Sequence, residues 1–418
     1  MYKRCFHPAD ILLPKNCDMT KWSVVACDQY TSQPEYWEEV EKITDGCPTT
    51  LNITLPEVYL EESDVESRIE KINENMKVYS DILEEYPSSL IYVERTLKNG
   101  SVRRGLVGMV DLEAYDFSKG STSLIRATEG TVLDRIPPRV KVRENATLEL
   151  PHIMILIDDP EKTVIEPIVA SADKKVIYDF DLMQEGGHIK GYILDKNLAE
   201  KVLSACDALA DFDAFNKKYN TPSLPPMLFA MGDGNHSLAT AKTCYENLKK
   251  EIGEDAAKNH PARYALAEIV NLHDSSLEFE AIHRVVFGVD GEKLLDEFKK
   301  YLDENKSDNE PQKIIACLGG KDREIIISNP PSPIAAGTLQ HFLDEYVPSV
   351  GGKIDYIHGD DVTRDLGNKE GNIGFILESM PKNALFKSVI IDGALPRKTF
   401  SMGEACDKRF YLECRKIK

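Results

Sequence analysis

The chain has 418 residues, of which 42% are hydrophobic and 29% are charged, and its formal net charge is −19. This acidic balance argues against nonspecific binding to nucleic acid or to an anionic membrane, and the longest apolar runs are too short to cross a bilayer. Nine cysteines without a CxxC pair favour reduced thiols, and the first residues show no apolar stretch of signal-peptide length, so a cytoplasmic protein is expected.

The first part of the chain combines short apolar runs with one long amphipathic stretch. Residues 22–28 (WSVVACD) predict a short buried strand that ends at Asp28, where the side chain either meets a ligand or caps a turn. Apolar residues recur at near-helical spacing through 62–85 and predict one helix there. The pair Asn99-Gly100 then predicts a hairpin between strands 89–97 and 101–112.

Residues 121–151 carry an unusual density of arginine around the pair Pro137-Pro138. The residues of interest in this stretch are Arg126, Glu129, Thr131, Arg135, Arg139 and Arg143. Irregular backbone with clustered arginine and carboxylate is typical of an active-site segment, and an arginine-rich surface loop is the alternative. Beyond it, strands 174–182 and 188–194 around a Gly-Gly pair predict a second hairpin, and residues 198–219 predict a helix.

A strand that ends in a glycine turn and opens a helix lies at residues 225–241 (PPMLFAMGDGNHSLATA). The apolar run 227–231 breaks at Gly232-Asp233-Gly234, and a helix is predicted from Asn235. Free backbone N–H groups and the helix dipole at such a turn suit an anion such as phosphate. The alternative is a turn in which Asp233 or Asn235 caps the helix.

Strands are also predicted at 264–272, 277–287 and 372–377, with further helices and strands after residue 289. Because the strands occur in hairpins and between helices, the pattern predicts a mixed α+β fold rather than a regular βαβ array. Two lobes are expected, an N-terminal and central lobe over residues 1–289 and a C-terminal lobe over residues 290–418.

Four segments, in the same order, resemble those of the bacterial and archaeal family of domains of unknown function numbered 1015, DUF1015. Residues 233–238 (DGNHSL) are similar to its Asp-Gly-His-His-Arg-Tyr motif, although Asn235 and Ser237 replace a His and an Arg. The other three are residues 126–131 (RATEGT), 281–286 (AIHRVV) and 396–400 (PRKTF).

The strand, Asp-Gly-x-His and helix are also similar to the phosphate-binding motif of the ParB/sulfiredoxin superfamily, which includes CTP-hydrolysing, ATP-using and free-serine kinase members. In the serine kinases that motif holds the nucleotide phosphates and a separate Glu acts as base. Asp233, Gly234 and His236 match the motif here. The resemblance therefore implies a nucleotide, ATP or ADP, with Mg²⁺.

Phosphoryl transfer needs charge neutralisation, positioning and a base for the attacking hydroxyl. The candidate phosphate-binding residues are Gly232, Gly234, Asn235, Ser237, Arg126, Arg143, Arg284 and Lys398. His236 would hold phosphate, Glu129 is the first choice for general base and Asp28 the second. Asp233 would orient His236 or hold Mg²⁺, which favours carboxylate oxygen together with phosphate.

The leading hypothesis is a nucleotide-dependent kinase of small molecules, with free serine or a related hydroxyl compound as acceptor. The alternatives are a metal-dependent phosphate-ester or nucleotide hydrolase and a non-catalytic nucleotide-sensing module. The expected partners are a small-molecule substrate and a nucleotide, and neither nucleic acid nor membrane is expected to bind. The sequence is also compatible with a homo-oligomer.

Overall fold

The computed structural model describes residues 3–31, 33–131, 133–221 and 223–418. The strands are β1 Phe6–His7, β2 Ala9–Pro14, β3 Leu83–Ser89, β4 Ile91–Thr96, β5 Val102–Asp111, β6 Tyr115–Asp116, β7 Ile125–Arg126, β8 Leu148–Glu149, β9 Met154–Ile157, β10 Lys174–Asp181, β11 His188–Leu194, β12 Phe229–Asp233, β13 Tyr264–Asn271, β14 Phe279–Ala281, β15 His283–Phe287, β16 Gln312–Leu318, β17 Lys321–Ile327, β18 Lys353–Ile357, β19 Asn372–Leu377, β20 Phe400–Met402 and β21 Arg415–Lys416.

The helices are α1 Met19–Trp22, α2 Pro34–Thr44, α3 Val65–Tyr79, α4 Ile136–Arg143, α5 Glu166–Val169, α6 Lys196–Ala208, α7 Phe212–Tyr219, α8 Asn235–Ile252, α9 Glu254–Ala257, α10 Gly291–Glu304, α11 Ala335–Val350, α12 Asp360–Gly367 and α13 Ala384–Asp392. Helices and mixed sheets confirm the predicted α+β class. In the described ranges, the helices lack an apolar span of the length needed to cross a bilayer.

Two compact units divide the chain. The first comprises the described residues up to Leu277 together with Gly403–Lys418, and the second is Glu278–Met402. We expected a boundary between residues 289 and 290, whereas the division in the structure falls after Leu277 and the last segment returns to the first unit. The second unit is therefore inserted in the sequence of the first.

The first unit is built on a large mixed sheet in the order β10-β11-β4-β5-β13-β9-β12-β7-β6, with β1 paired to β5. Both predicted hairpins are present, as β4–β5 and β10–β11. Successive residues of β4 enter different cores, because Tyr92 packs in one apolar cluster and Ile91 and Val93 in another. The sheet is thus buried on both faces, which accounts for its apolar central strands.

The second unit has its own antiparallel sheet, in the order β17-β16-β19-β15-β18. Phe298 of α10 and Phe342 of α11 are buried in this unit with ring centroids 5.0 Å apart, and Phe375 of β19 lies 6.4 Å from Phe298. The unit is entered and left through a pair of antiparallel strands, since Phe279 of β14 is paired with Met402 of β20.

Candidate functional site

The turn between β12 and α8 departs from regular structure at two glycines. Gly232 is the extra residue of a β-bulge, because Met231 pairs with Ile155 and Asp233 pairs with the next residue of β9, Met154. Gly234 follows with φ +78°, a left-handed conformation that favours glycine. A Cβ at Gly234 would lie 3.1 Å from the Ile153 Cα, so the turn packs closely on the segment that precedes β9.

Three strands bring their ends to this turn. β12 runs parallel to β7, with Ala230 opposite Arg126, and antiparallel to β9. The residues that follow β7 and β12 therefore leave the sheet at the edge where β9 begins. This topology directs Glu129, the Gly232–Ser237 turn and His152 to one edge of the sheet.

His152, which precedes β9, links the turn to the C-terminal segment. The Ser237 Oγ lies 2.9 Å from the His152 Nε2, and the Tyr411 hydroxyl oxygen lies 3.0 Å from the His152 Nδ1. The Tyr411 hydroxyl also accepts a hydrogen bond from the Cys27 backbone N–H at 3.2 Å. Both imidazole nitrogens are thus occupied, and the chain of contacts fixes the ring beside the first turn of α8.

Asp28 lies beside this chain, because the segment around Val25 forms an isolated bridge with Phe410. Burial alone would raise the pKa of Asp28, but the charges of His152 and Lys408 and a hydrogen bond from Gln29 hold that pKa below its usual value. The carboxylate is therefore ionised at neutral pH. The Gln29 side-chain amide donates to its Oδ1 at 2.9 Å.

Lys408 connects Asp28 with the glycine turn. Its ammonium nitrogen lies 3.4 Å from the Asp233 Oδ2, while the Asp233 Oδ1 accepts a hydrogen bond from the Gly234 N–H at 2.9 Å. Lysine is a frequent phosphate ligand that acts as a point charge. The half-buried pair Asp233–Lys408 places one carboxylate and one ammonium at the start of α8.

The start of α8 has the features of an anion site. The helix has 18 residues, its N-cap Gly234 provides no side-chain hydrogen bond, and its last turn contains Lys249 and Lys250. The first N–H groups and the helix dipole point toward the turn. The Asn235 Oδ1 is buried without a hydrogen-bond partner among the described residues, which is unusual for a buried polar atom.

Two of the predicted phosphate-binding arginines lie in this unit, and both form hydrogen bonds or ion pairs with other residues of the chain. Burial lowers the pKa of Arg126, and its guanidinium donates to the carbonyl oxygens of Ser123 and Pro225, each at 2.8 Å. Arg143 is paired with the buried Glu149. These contacts assign both guanidinium groups to the packing of the chain around the turn.

The other two predicted basic residues lie in the second unit. Arg284 is buried there and donates to the Gln340 Oε1 and the Arg397 carbonyl, each at 3.2 Å. Lys398 is exposed, with φ +56°. Their phosphate-binding roles stay predictions.

Glu129 and His236 are half-buried residues at the edge where the turn lies. Within the described ranges, no group of three or more His, Cys, Asp or Glu side chains is arranged to hold a metal ion. Asp233 offers a carboxylate oxygen of the kind that Mg²⁺ prefers. An ion held there would take its remaining ligands from phosphate and water.

Sequence reasoning missed three residues of this cluster, namely His152, Lys408 and Tyr411. His152 and Tyr411 are 259 positions apart. A local pattern does not mark such a pair, because only the tertiary fold brings them together. The concentration of basic residues late in the sequence was the one available signal for Lys408.

Comparisons with known proteins place the chain among proteins of unassigned activity. The profile of a family described as "Protein of unknown function (DUF1015)" matches residues 10–346. No curated protein sequence matches the chain.

Solved structures of similar arrangement have little sequence identity. Free serine kinase in complex with AMP has a TM-score of 0.36 and 10% identity, covering 74% of this chain and 91% of that chain. A mutant of free serine kinase in complex with ADP has a TM-score of 0.38 and 10% identity, covering 76% and 93%. A conserved hypothetical protein from Pyrococcus furiosus has a TM-score of 0.35 and 10% identity, covering 74% and 94%.

Proposed function

The chain belongs to the DUF1015 family, whose description names no activity, and we propose that it is a nucleotide-dependent kinase of small molecules. One observation carries the proposal: the uncapped start of α8 meets Lys408 on one side and the Asp28–His152–Ser237 cluster on the other. An anion site beside an ionised carboxylate is the arrangement that phosphoryl transfer to a hydroxyl requires.

The nucleotide phosphates would bind at the glycine turn. The backbone N–H groups of Asn235, His236 and Ser237 and the helix dipole favour negative charge there. The Lys408 ammonium, 3.4 Å from the Asp233 carboxylate, supplies a positive charge at the same place. The Asn235 Oδ1, buried and without a partner among the described residues, would accept a hydrogen bond from a hydroxyl or amino group of the nucleotide and not from its phosphates. Asp233 is the residue that would hold Mg²⁺.

The acceptor hydroxyl would lie near Ser237 and His152. Asp28 is our choice of general base, because the charges of His152 and Lys408 favour its ionised form. The acceptor oxygen loses its proton to this carboxylate and bonds to the terminal phosphorus of ATP or ADP. The bond from that phosphorus to the bridging oxygen breaks, and the nucleotide leaves one phosphate shorter. Glu129, half-buried at the same sheet edge, is the alternative base.

Two variants separate these carboxylates. Asp28→Asn should lower turnover by about 10²–10⁴ while nucleotide binding persists, because a general base acts on the acceptor and not on the donor. Glu129→Gln should retain turnover, as should the control Asp81→Asn at an exposed position. The measurement is nucleotide consumption with a panel of hydroxy amino acids and other alcohols. The reverse pattern of losses would transfer the role to Glu129.

Nucleotide binding is tested first and independently. A ligand present at about 100 times its Kd should stabilise the folded protein by ~2.7 kcal/mol, which is measurable as a rise in melting temperature. Lys408→Met should reduce this rise, because it removes the positive charge beside the turn. A panel of ATP, ADP and other nucleotides that leaves the melting temperature unchanged would exclude the kinase.

A phosphate-ester hydrolase is the second candidate, because the Ser237 hydroxyl lies 2.9 Å from the His152 Nε2. In this mechanism His152 would be neutral, unlike in the kinase, and would take the Ser237 proton. The hydrolase also differs from the kinase in its acceptor. Release of inorganic phosphate from p-nitrophenyl phosphate, independent of any added alcohol, would favour the hydrolase. Nucleotide consumption that requires an added alcohol would favour the kinase.

A further inference from the structure

The first unit contains a cleft with a polar end, formed by the Ser237–His152–Tyr411 contacts, and an apolar wall. Its volume is about 150 Å³, which is close to that of an engineered apolar cavity that binds benzene. The polar end is formed by Ser237, His152 and Tyr411. The wall beyond it comes mainly from aliphatic side chains, among them Ile53, Leu55, Met76, Val142, Leu148 and Leu266.

The charged side chains in this wall are paired with one another. The Arg139 Nε donates to the Glu57 Oε1 at 2.9 Å, and Arg143 is paired with Glu149. Glu149 also accepts hydrogen bonds from the Arg415 Nε at 2.7 Å and from the Leu266 N–H at 2.9 Å. The charged groups of the wall therefore neutralise one another, and aliphatic surface is left to contact a ligand. Such a surface fits an uncharged group better than a second anion.

We propose that this cleft binds an alcohol with an apolar body, aliphatic or aromatic, whose hydroxyl points toward Ser237 and His152. The proposal rests on the proposed function, since it names the acceptor class of the same site. Free serine has no apolar body to cover the aliphatic wall, because its ammonium and carboxylate groups are charged. An apolar body would bury that wall, and burial of apolar surface is the main source of affinity in such pockets.

In the complete reaction, the alcohol O–H bond breaks and its proton passes to Asp28. A new bond forms between the alcohol oxygen and the terminal phosphorus, and the bridging P–O bond to the nucleotide breaks. The products are an alkyl phosphate and a nucleotide one phosphate shorter, so no oxidant or reductant is needed.

The test is binding of straight-chain alcohols from pentanol to octanol to the full chain, measured by calorimetry without nucleotide. Each added CH₂ should tighten binding about fourfold, because it is transferred from water to the aliphatic wall. Val142→Phe, which fills the cleft, should weaken octanol binding at least tenfold. Val140→Phe on the same helix, outside the cleft lining, should leave it unchanged.

Affinity that does not rise with chain length, or octanol binding equal in Val142→Phe and the wild type, would overturn the proposal. If Val142→Phe does not fold, the chain-length series in the wild type decides alone. Failure of the kinase proposal has a different signature. Alcohol binding with the expected series but without ATP or ADP consumption leaves the cleft assignment standing and excludes phosphoryl transfer. Serine phosphorylation without alcohol binding excludes only the cleft assignment.

Discussion

At the scale of single residues, the backbone conformation and close packing of Gly234 explain why glycine is required in the turn. A φ of +78° costs most L-residues about 1–2 kcal/mol, and an added Cβ would also lie 3.1 Å from the Ile153 Cα. This position was predictable from sequence, because Gly-Asp-Gly between an apolar run and a helix signals a special backbone. The contacts of Asp233 with Lys408 and of Ser237 with His152 were not predictable, because the partners are far apart in the sequence.

Gly234→Ala should therefore destabilise the first unit more than an alanine substitution at a glycine that has the same positive φ but no close neighbour. Gly120 is the matched control, since it has the same φ of +78° and open space where the Cβ would be. Urea unfolding followed by tryptophan fluorescence measures both, because Trp22 and Trp37 are the only two tryptophans and both are in the first unit. Equal losses would show that the Ile153 contact is without consequence.

His188, on the β10–β11 hairpin, provides a prediction about pH. Hydrogen bonds to Asp181 and Asp179, each 2.7 Å from an imidazole nitrogen, raise the pKa of His188. The stabilisation by this contact is therefore fully present below the unfolded value of about 6.5 and is lost as pH rises through the folded pKa.

The NMR titration of His188 should give a pKa above 6.5 in the wild type and a lower one in Asp181→Asn. His260 serves as the internal control, because its pKa is lowered by burial and should be the same in both proteins. A His188 titration that does not respond to Asp181→Asn would contradict the assigned cause.

At the scale of elements, the sequence predicted strands and hairpins better than helix ends. The predicted helix 62–85 ends at Tyr79, because residues from Leu83 onward form β3 and pair with β2. The pair Pro137-Pro138 lies in the first turn of α4, where proline is tolerated, so the arginine-rich stretch is partly helical. The predicted strand 22–28 has only the isolated Val25–Phe410 bridge.

The C-terminal segment that carries Tyr411 is fixed by a buried ionic network. Arg409 is paired with Glu268, and its Nη2 donates to the Glu413 Oε2 at 2.6 Å, with all three side chains buried. Such a network holds the backbone on either side of Tyr411. Sequence could not predict it, because Glu268 belongs to β13, far away in the chain.

Arg409→Met should destabilise the first unit by about 3–5 kcal/mol, since it removes the positive charge that balances two buried carboxylates. Lys258→Met, which removes the exposed Lys258–Asp255 pair, should change the free energy of unfolding little, because water and salt screen an exposed ion pair. Tryptophan fluorescence during urea unfolding reports both values. Similar losses in the two variants would mean that the Arg409 network contributes no more than a surface ion pair.

At the scale of the whole molecule, the second unit interrupts the first. Because Phe279 and Met402 are opposite each other in an antiparallel pair, the chain enters and leaves the second unit at points about 5 Å apart. Sequence alone could not predict this arrangement, since the composition does not change at Leu277 or Gly403. The hydrophobic pattern of the sequence predicts the helices and strands, but it does not predict to which unit each of them belongs.

Replacement of Glu278–Met402 by a short Gly-Ser linker should therefore leave a folded first unit with cooperative thermal unfolding by circular dichroism. Residues 1–277 alone should not fold in this way, because they lack Arg409, Tyr411 and β21. Cooperative unfolding of the shorter chain would show that the C-terminal segment is dispensable for the core.

The interrupted order has a consequence for synthesis on the ribosome, where chains grow by ~5–20 residues per second and domains generally fold from the N-terminal end. Lys408 and Tyr411 are translated only after the entire second unit. A nascent chain thus carries the glycine turn and His152 for some time without the residues that complete their surroundings. The Ser237–His152–Tyr411 contacts can form only when translation has passed Tyr411, so a chain terminated anywhere upstream should lack them.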